Sequence, residues 1–384
     1  MKIGIEGQRL FRQKKHGMDI VALELVRRLS KLDNRNEYVI FVKDDDDRAC
    51  IQESANVKIK VLPSTSYPVW EQVILPKAAS DEQCDLLHCT SNTAPVATRI
   101  PLITTIHDII YLEKVSLFSK EGTSYQRFGN MYRRFIVPSV AHKSRRVVTV
   151  SRFEKENIDK VLHLGNKLSV IHNGVGDHFV KINNTELLTE ARRKYKLPER
   201  YIFFLGNTDP KKNTANVLKA FALYHQKYND DLHLVMPDYD ESTLLDLLRD
   251  TVKPDVRNKI IITGYISNEE LPAIINQCCI LLYPSLRESF GIPILEGMAC
   301  GVPVITSNTS SMPEIAGNAA LMIEPSDPVA ITHAIERIVG NPVLAAELSA
   351  KGLNRAKTFS WDNMTAAYIQ LYQEVYDEIK NTKS

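Results

Sequence analysis

No stretch of this chain approaches the roughly 18 consecutive apolar residues that a membrane-spanning helix needs, so an integral membrane protein is not expected. Its six cysteines (Cys50, Cys84, Cys89, Cys278, Cys279 and Cys300) form no Cys-x-x-Cys pair, which removes the usual zinc spacing. The opening residues Met-Lys-Ile-Gly-Ile-Glu read as a first strand and not as a secretory leader. Reduced, mostly buried thiols in a cytoplasmic protein are therefore expected, over disulfides. Short repeats and low-complexity segments are missing too. The basic clusters lack the density and interleaved aromatics of a nucleic-acid surface, so no nucleic-acid partner is expected.

What is present is a soluble, globular composition: 44% hydrophobic and 24% charged residues over 384 positions. That length exceeds one ordinary core and suits two domains of similar size. A net charge of +2 hides an asymmetry. Through residue 180 there are 27 Lys and Arg against 21 Asp and Glu, and after it 21 against 25. Basic clusters stand at Arg12 to Lys15, Arg133-Arg134 and Lys143 to Arg146. They fit either a solvated basic face or a first half that meets an anionic acceptor or acidic membrane headgroups.

Short apolar runs alternate with helical segments throughout. Strands are expected at Lys2–Glu6, Tyr38–Val42, Lys58–Leu62, Leu86–Cys89, Leu102–Ile106, Arg146–Val150 and Leu168–Ile171. Helical spacing marks Asp19 to Leu32, Tyr125 to Ala141 and Arg152 to Val161, with Asp19 and Ser151 as N-caps. The second half repeats the alternation, with strands at Tyr201–Leu205, Leu232–Met236, Lys259–Thr263, Ile280–Tyr283, Val304–Thr306 and Ala320–Ile323. Such alternation predicts an α/β protein with two parallel, doubly wound sheets, and ligands beyond the carboxyl ends of the strands. The domains are read as 1–178 and 179–361, the change falling after Asn173-Gly174-Val175.

The most informative stretch is Glu288-Ser-Phe-Gly-Ile-Pro-Ile-Leu-Glu296, where two carboxylates bracket a helix start. Pro293 suits the first helical position, because its missing N–H has no partner there in any case. The amides of Phe290, Gly291 and Ile292 then lie at the positive end of the helix dipole, which holds a phosphate or carboxylate readily. Gly291 allows a ligand close to the backbone. Glu288 precedes the helix and Glu296 lies about one turn inside it. A sugar joined through a diphosphate to a ribose would use all of these groups. The bland reading is an ordinary helix start with two solvated acids.

With its flanks, residues 283–307 (Tyr-Pro-Ser-Leu-Arg-Glu-Ser-Phe-Gly-Ile-Pro-Ile-Leu-Glu-Gly-Met-Ala-Cys-Gly-Val-Pro-Val-Ile-Thr-Ser), this segment resembles the donor-site signature of glycosyltransferase family 4. The resemblance implies the GT-B fold: two Rossmann-like domains facing a central cleft, with the segment from about residue 362 to 384 crossing back to the first. It also implies retaining transfer. The loop Gly206-Asn207-Thr-Asp-Pro-Lys211-Lys212-Asn213 is similar to the family's Gly-x-x-x-Pro-Arg-Lys-Asn pattern, with Lys211 in place of arginine. There Lys212 would meet the donor diphosphate. Arg9 and Gly17 resemble the family's arginine and glycine loop, although Met18-Asp19 replaces Ile-Gly. Gly264-Tyr265-Ile266 resembles the loop that holds the nucleotide base.

In the first half, His107-Asp108 follows a strand within Thr-Thr-Ile-His-Asp-Ile. A histidine so placed is commonly satisfied by a backbone carbonyl. The segment also resembles an element of mannosyltransferase-type members, which implies a role near the transferred sugar. The expected activity is transfer of a hexose, mannose from GDP-mannose as the leading choice, to a glycan or lipid-linked hydroxyl in surface polysaccharide assembly. Lys212 and the helix start would neutralise the phosphates, so no cofactor and no metal are expected, and no Asp-x-Asp pointing to a metal is read in the chain. The competing readings are a GT-B phosphorylase, a sugar-nucleotide epimerase, or a silent nucleotide-sugar-binding subunit. The expected place is the cytoplasm, with peripheral contact to the inner membrane face.

Overall fold

The computed structural model describes residues 1–112, 124–249 and 251–383. It divides into two units, one of residues 1–173 with 361–384, the other Gly174–Ser360. The first unit is built on β1 (Lys2–Glu6), β2 (Glu37–Lys43), β3 (Val57–Leu62), β4 (Leu86–Cys89), β5 (Leu102–Thr105), β6 (Arg146–Thr149) and β7 (Leu168–Val170). Their order is β3-β2-β1-β4-β5-β6-β7, and neighbours run parallel. Strands β4 and β5 are buried along their whole length, as expected where helices cover both faces. The edge strand β3 instead carries Lys58 and Lys60 on a partly exposed face, which guards an unpaired edge.

The last helix, Trp361–Lys383, belongs to this first unit. Its polar anchors explain why. His88 on β4 shares a hydrogen bond with Tyr372 Oη at 2.7 Å and another with Thr105 Oγ1 at 2.8 Å, and Thr105 reaches Tyr368 Oη at 2.9 Å. Burial pushes His88 down to about 3, so it stays neutral and serves as a connector. Arg28 on helix Gly17–Leu32 adds an ion pair to Asp362 at 2.6 Å.

The second unit holds β8 (Tyr201–Phe204), β9 (His233–Met236), β10 (Ile260–Ile262), β11 (Ile280–Tyr283), β12 (Val304–Ser307) and β13 (Leu321–Ile323), in the order β10-β9-β8-β11-β12-β13. Helices Thr214–Lys227 and Pro328–Val339 lay Val217, Leu218, Phe221, Ile331 and Ile335 into one core on this sheet. Strand order reverses between β8 and β11, and between β1 and β4 in the first unit. Those are the points where a parallel sheet leaves a crevice at its carboxyl edge. The loops 206–213 and 284–291 leave the carboxyl ends of β8 and β11.

Two local expectations change. Asp19 is the third residue of helix Gly17–Leu32, not its cap: His16 caps it, and Asp19 Oδ2 accepts the His16 amide at 3.0 Å. The reciprocal capping arrangement draws two more residues into the helix. Pro293 is the second residue of helix Ile292–Ala299, because Gly291 takes the cap position. Ser151 does cap helix Arg152–Leu162, accepting the Glu154 amide at 3.2 Å. All six cysteines are free thiols.

Candidate active site

Gly291 makes the turn that starts helix Ile292–Ala299. Its φ of +99° lies where a side chain is strained, and a Cβ there would come within 3.1 Å of Ile294 Cδ1. The turn is pinned from β12. The buried Ser311 hydroxyl donates to the carbonyls of Glu288 and Phe290 at 2.8 and 2.9 Å, and Ser310 Oγ accepts the Glu288 amide at 3.1 Å. Gly291 and Phe290 are buried, while Ile292 is half-buried at the helix start. Thus the three amides named from sequence sit on one immobilised turn.

Loop 206–213 is fastened to the same place. A Cβ on Gly206 would fall 2.2 Å from the Phe204 ring, so only glycine fits against that strand end. Asn213, in the left-handed region at φ +64°, donates through Nδ2 to the Pro284 and Pro325 carbonyls at 3.0 and 2.6 Å. The Leu286 amide donates to the Lys211 carbonyl at 2.7 Å. These bonds bring Lys212 to Glu288. Their ion pair is 2.7 Å long, with side chains only 16% and 13% exposed. Lys212 Nζ also donates to Tyr283 Oη at 2.9 Å and lies 4.9 Å from the centre of its ring. An ammonium held by one carboxylate and one phenol keeps a third proton for a ligand.

Lys211 does not join this pair. It is exposed and stands 3.5 Å from Asp209. Asn207 is exposed in the same loop, its Oδ1 accepting the Asp209 amide at 2.9 Å. Tyr265 is 73% exposed and follows the edge strand β10, with Ile266 half-buried beside it. Glu296 has a carboxylate that makes no hydrogen bond among the described residues. Its residue is half-buried by surface exposure, yet protein surrounds the carboxyl closely enough that loss of hydration pushes it up to about 7. Such a carboxylate lacks a donor, and a vicinal diol supplies two.

The Asp-x-Asp spacing does occur in the sequence, twice within the run Asp44 to Asp47 and once at Asp238-Tyr239-Asp240, which corrects the expectation that nothing of this kind is present. Asp240 is occupied as a helix cap: Oδ2 accepts Ser242 Oγ at 2.6 Å and both the amide and hydroxyl of Thr243 at 2.7 Å. Those bonds hold it down at about 2.

In the first unit, His107 is buried just past β5. Nε2 lies 3.0 Å from the Thr90 carbonyl, which can only accept, so Nε2 carries the proton and Nδ1 is left as an acceptor. Its amide donates to Asn92 Oδ1 at 2.6 Å. Burial lowers its pKa, and the ring is neutral near pH 7. The carbonyl-satisfied reading and the presence of one open nitrogen are thus compatible. Asp108 Oδ1 accepts the Ile110 amide at 3.2 Å and shapes the turn after the strand. Gly17 opens its helix with nothing within 4 Å of an added Cβ, and Arg9 rests its guanidinium 5.4 Å from the Tyr67 ring centre.

Sequence reasoning passed over Tyr283, Ser310, Ser311 and Asn213 as site-builders. Tyr283 opened the signature run. The polar run from Asn308 to Ser311 after β12 carried the available signal, four polar residues in a row where a buried strand ends.

Two family models match the chain: "Glycosyltransferase Family 4" over residues 16–178 and "Glycosyl transferases group 1" over residues 189–355. Among curated relatives, the O-antigen chain mannosyltransferase B of Escherichia coli is 28% identical over 274 residues, 71% of this chain and 70% of that protein. The serotype-specific mannosyltransferase WbdA of Escherichia coli is 29% identical over 215 residues, 55% of this chain, but the match spans only 26% of that longer protein. Among solved structures, sucrose-phosphate synthase of Thermosynechococcus elongatus superposes with a TM-score of 0.75 at 18% identity, covering 98% of this chain and 99% of that one. HepE of Anabaena, solved with UDP, gives 0.75 at 15% identity over 97% and 100%. Structural likeness at such identities speaks for the fold alone. The matched models, taken with two Rossmann-like sheets of seven and six parallel strands, place this chain in glycosyltransferase family 4, with the GT-B fold.

Proposed function

We propose that this transferase moves mannose from GDP-mannose to a hydroxyl of a glycan or lipid-linked acceptor, with retention at the anomeric carbon and without a metal ion. The observation that carries the reading is the Lys212–Glu288 pair at 2.7 Å, set beside the Gly291 turn. One cation, one carboxylate and a helix start meet there. The mannosyl donor rests on the likeness to mannosyltransferases of O-antigen chains.

In this reading the departing diphosphate is the chemical difficulty. The bond from the anomeric carbon to the phosphate oxygen breaks and positive charge develops on the sugar. The acceptor oxygen then bonds to the same face, and its proton passes to the departing phosphate. Lys212 and the amides of Phe290, Gly291 and Ile292 stabilise the charge that builds on that phosphate, a preorganised donor contributing on the order of 3 kcal/mol. Glu288 accepts from sugar hydroxyls and Glu296 from the ribose diol. Neutral His107, with Nδ1 as acceptor, and Asp108 take the transferred sugar or the acceptor. Gly206, Asn207, Gly17 and Lys211 shape or flank the phosphate loops, and Tyr265 and Ile266 serve the base.

We also assign this chain to the cytoplasmic membrane face. No helix among the described residues is long and apolar enough to cross a membrane. Helix Ser124–Lys143, however, carries Phe128, Met131 and Phe135 exposed by 53%, 51% and 75%, a spacing that puts all three on one stripe. Thermal stabilisation across GDP-, UDP-, ADP- and dTDP-sugars, followed by transfer from radiolabelled GDP-mannose with product NMR, tests the reading. Selective stabilisation by GDP and an α-linked product are expected. Stabilisation by another nucleotide alone would refute the donor assignment.

A further inference from the structure

A charged cavity lies at the amino ends of β5, β6 and β7 in the first sheet. The segments that lead into β5, β6 and β7 enclose a cavity of about 350 Å³, within the range of small-molecule sites. Its charged lining is Arg99, Lys143, Arg145, Arg146, Lys167 and Glu378. Five cations surround one carboxylate, and that carboxylate is already committed to Arg146. Lys143 and Lys167 each donate to a backbone carbonyl, of Val96 and His142, which fixes the ammonium groups and leaves further protons on each. The Arg145 backbone is bonded, its amide to the Leu102 carbonyl at 2.8 Å and its carbonyl to Arg146 at 3.0 Å, but the guanidinium groups of Arg99 and Arg145 make no hydrogen bond or ion pair among the described residues. Like charges packed round one cavity repel unless an anion joins them.

We propose that this cavity binds a phosphate-bearing anion, a lipid headgroup phosphate or a soluble phosphate ester, held by Arg99 and Arg145 with the two lysines. Planar guanidinium groups match tetrahedral phosphate oxygens through paired N–H bonds. The cavity opens before Leu102, whereas His107 follows the other end of β5. At about 3.3 Å per residue the two ends lie roughly 15 Å apart, so this anion site is separate from the one described above. The inference does not rest on the identity of the sugar donor.

The test compares the intact protein with Arg99→Gln/Arg145→Gln, both exposed positions, and with Lys155→Gln/Lys160→Gln, an equal charge change on exposed lysines of another helix. Sedimentation uses phosphatidylcholine vesicles with and without phosphatidylglycerol, and melting curves use inorganic pyrophosphate. At roughly a factor of five per basic residue, the cavity variant should partition to anionic vesicles about thirtyfold more weakly, with the lysine variant near wild type. That outcome identifies a lipid phosphate. Pyrophosphate stabilisation that is larger for wild type than for the cavity variant identifies a soluble phosphate instead. The donor loops are unchanged in both proteins and cancel from the comparison. Equal losses in the two variants, or no binding of either probe by wild type, overturn the proposal.

Discussion

Replacing Glu296 by Gln tests whether its unpartnered carboxylate is built for a ligand. Burial raises the group from the ordinary carboxylate range to about 7. A folded pKa above the unfolded one means that the folded protein binds the proton more tightly. The wild type therefore loses stability as pH rises from about 4.5 through 7, and below about 4.5 the penalty is absent. The full separation corresponds to about 3 kcal/mol above pH 7. Water reaches this half-buried side chain, so about half of that, ~1.5 kcal/mol, is the working figure. Gln is isosteric and uncharged and escapes the penalty. Its melting temperature should lie within about 1–2 °C of wild type at pH 5 and exceed it by about 3–6 °C at pH 8, for a unit of this size. GDP reverses the order. Ribose hydroxyls donate to the carboxylate and favour its ionised form, so wild-type affinity should rise between pH 5 and 8, and the variant should bind about tenfold more weakly at pH 8. Differential scanning fluorimetry at the two pH values, with and without GDP, reads both effects. A melting difference that does not change with pH would refute the argument, because Glu296 would then be a solvated carboxylate of ordinary acidity.

Lys212→Met leaves Glu288 with 13% exposure and no cation. It should lower transfer by about two to three orders of magnitude, measured as initial rate at saturating donor, and an unchanged kcat would remove Lys212 from leaving-group stabilisation. Gly291→Ala puts a Cβ on a residue at φ +99° and 3.1 Å from Ile294 Cδ1; urea denaturation should show a loss of about 1–3 kcal/mol, and an unchanged midpoint would mean that the turn relaxes freely. Phe135→Ser removes an exposed ring with no core role. Flotation with anionic vesicles should fall about tenfold or more, as for a ring withdrawn from an apolar phase, while the melting temperature stays constant; undiminished flotation would exclude the stripe as the contact.

The sequence made the sheets legible for a physical reason. Parallel strands buried on both faces must be short and apolar throughout, so β4, β5, β8 and β11 stood out against their helices, and each expected strand lies within about a residue of the observed one. Helix starts were less legible because capping is decided by side-chain geometry: Asp19 has the chemistry of a cap, yet His16 occupies the position. The Glu288–Glu296 segment was readable because its constraints are local: Gly291 must turn, Pro293 must lack a bond, and Glu296 follows one turn inside the helix that they start.

Distant pairing carries no such local mark. Nothing in the neighbourhood of Lys212 announces a carboxylate 76 positions later, and the same holds for the Ser311 hydroxyl that ties down Glu288 and Phe290. Topology supplies what is missing. β8 and β11 are adjacent although two strands intervene in the chain, and their exits must therefore meet. Given only the order β10-β9-β8-β11-β12-β13, the Gly206 loop and the Glu288 loop become neighbours and the Ser310-Ser311 turn after β12 becomes their support. A lysine on one loop and a glutamate on the other, both within that crevice, then pair because each is the nearest opposite charge in a place that excludes most water. In the proposed reading the pair rehearses the ligand's own interactions: a donor diphosphate would compete with Glu288 for Lys212, and sugar hydroxyls would compete with Lys212 for Glu288. Binding a nucleotide alone should loosen the pair, whereas the complete nucleotide sugar satisfies both partners at once.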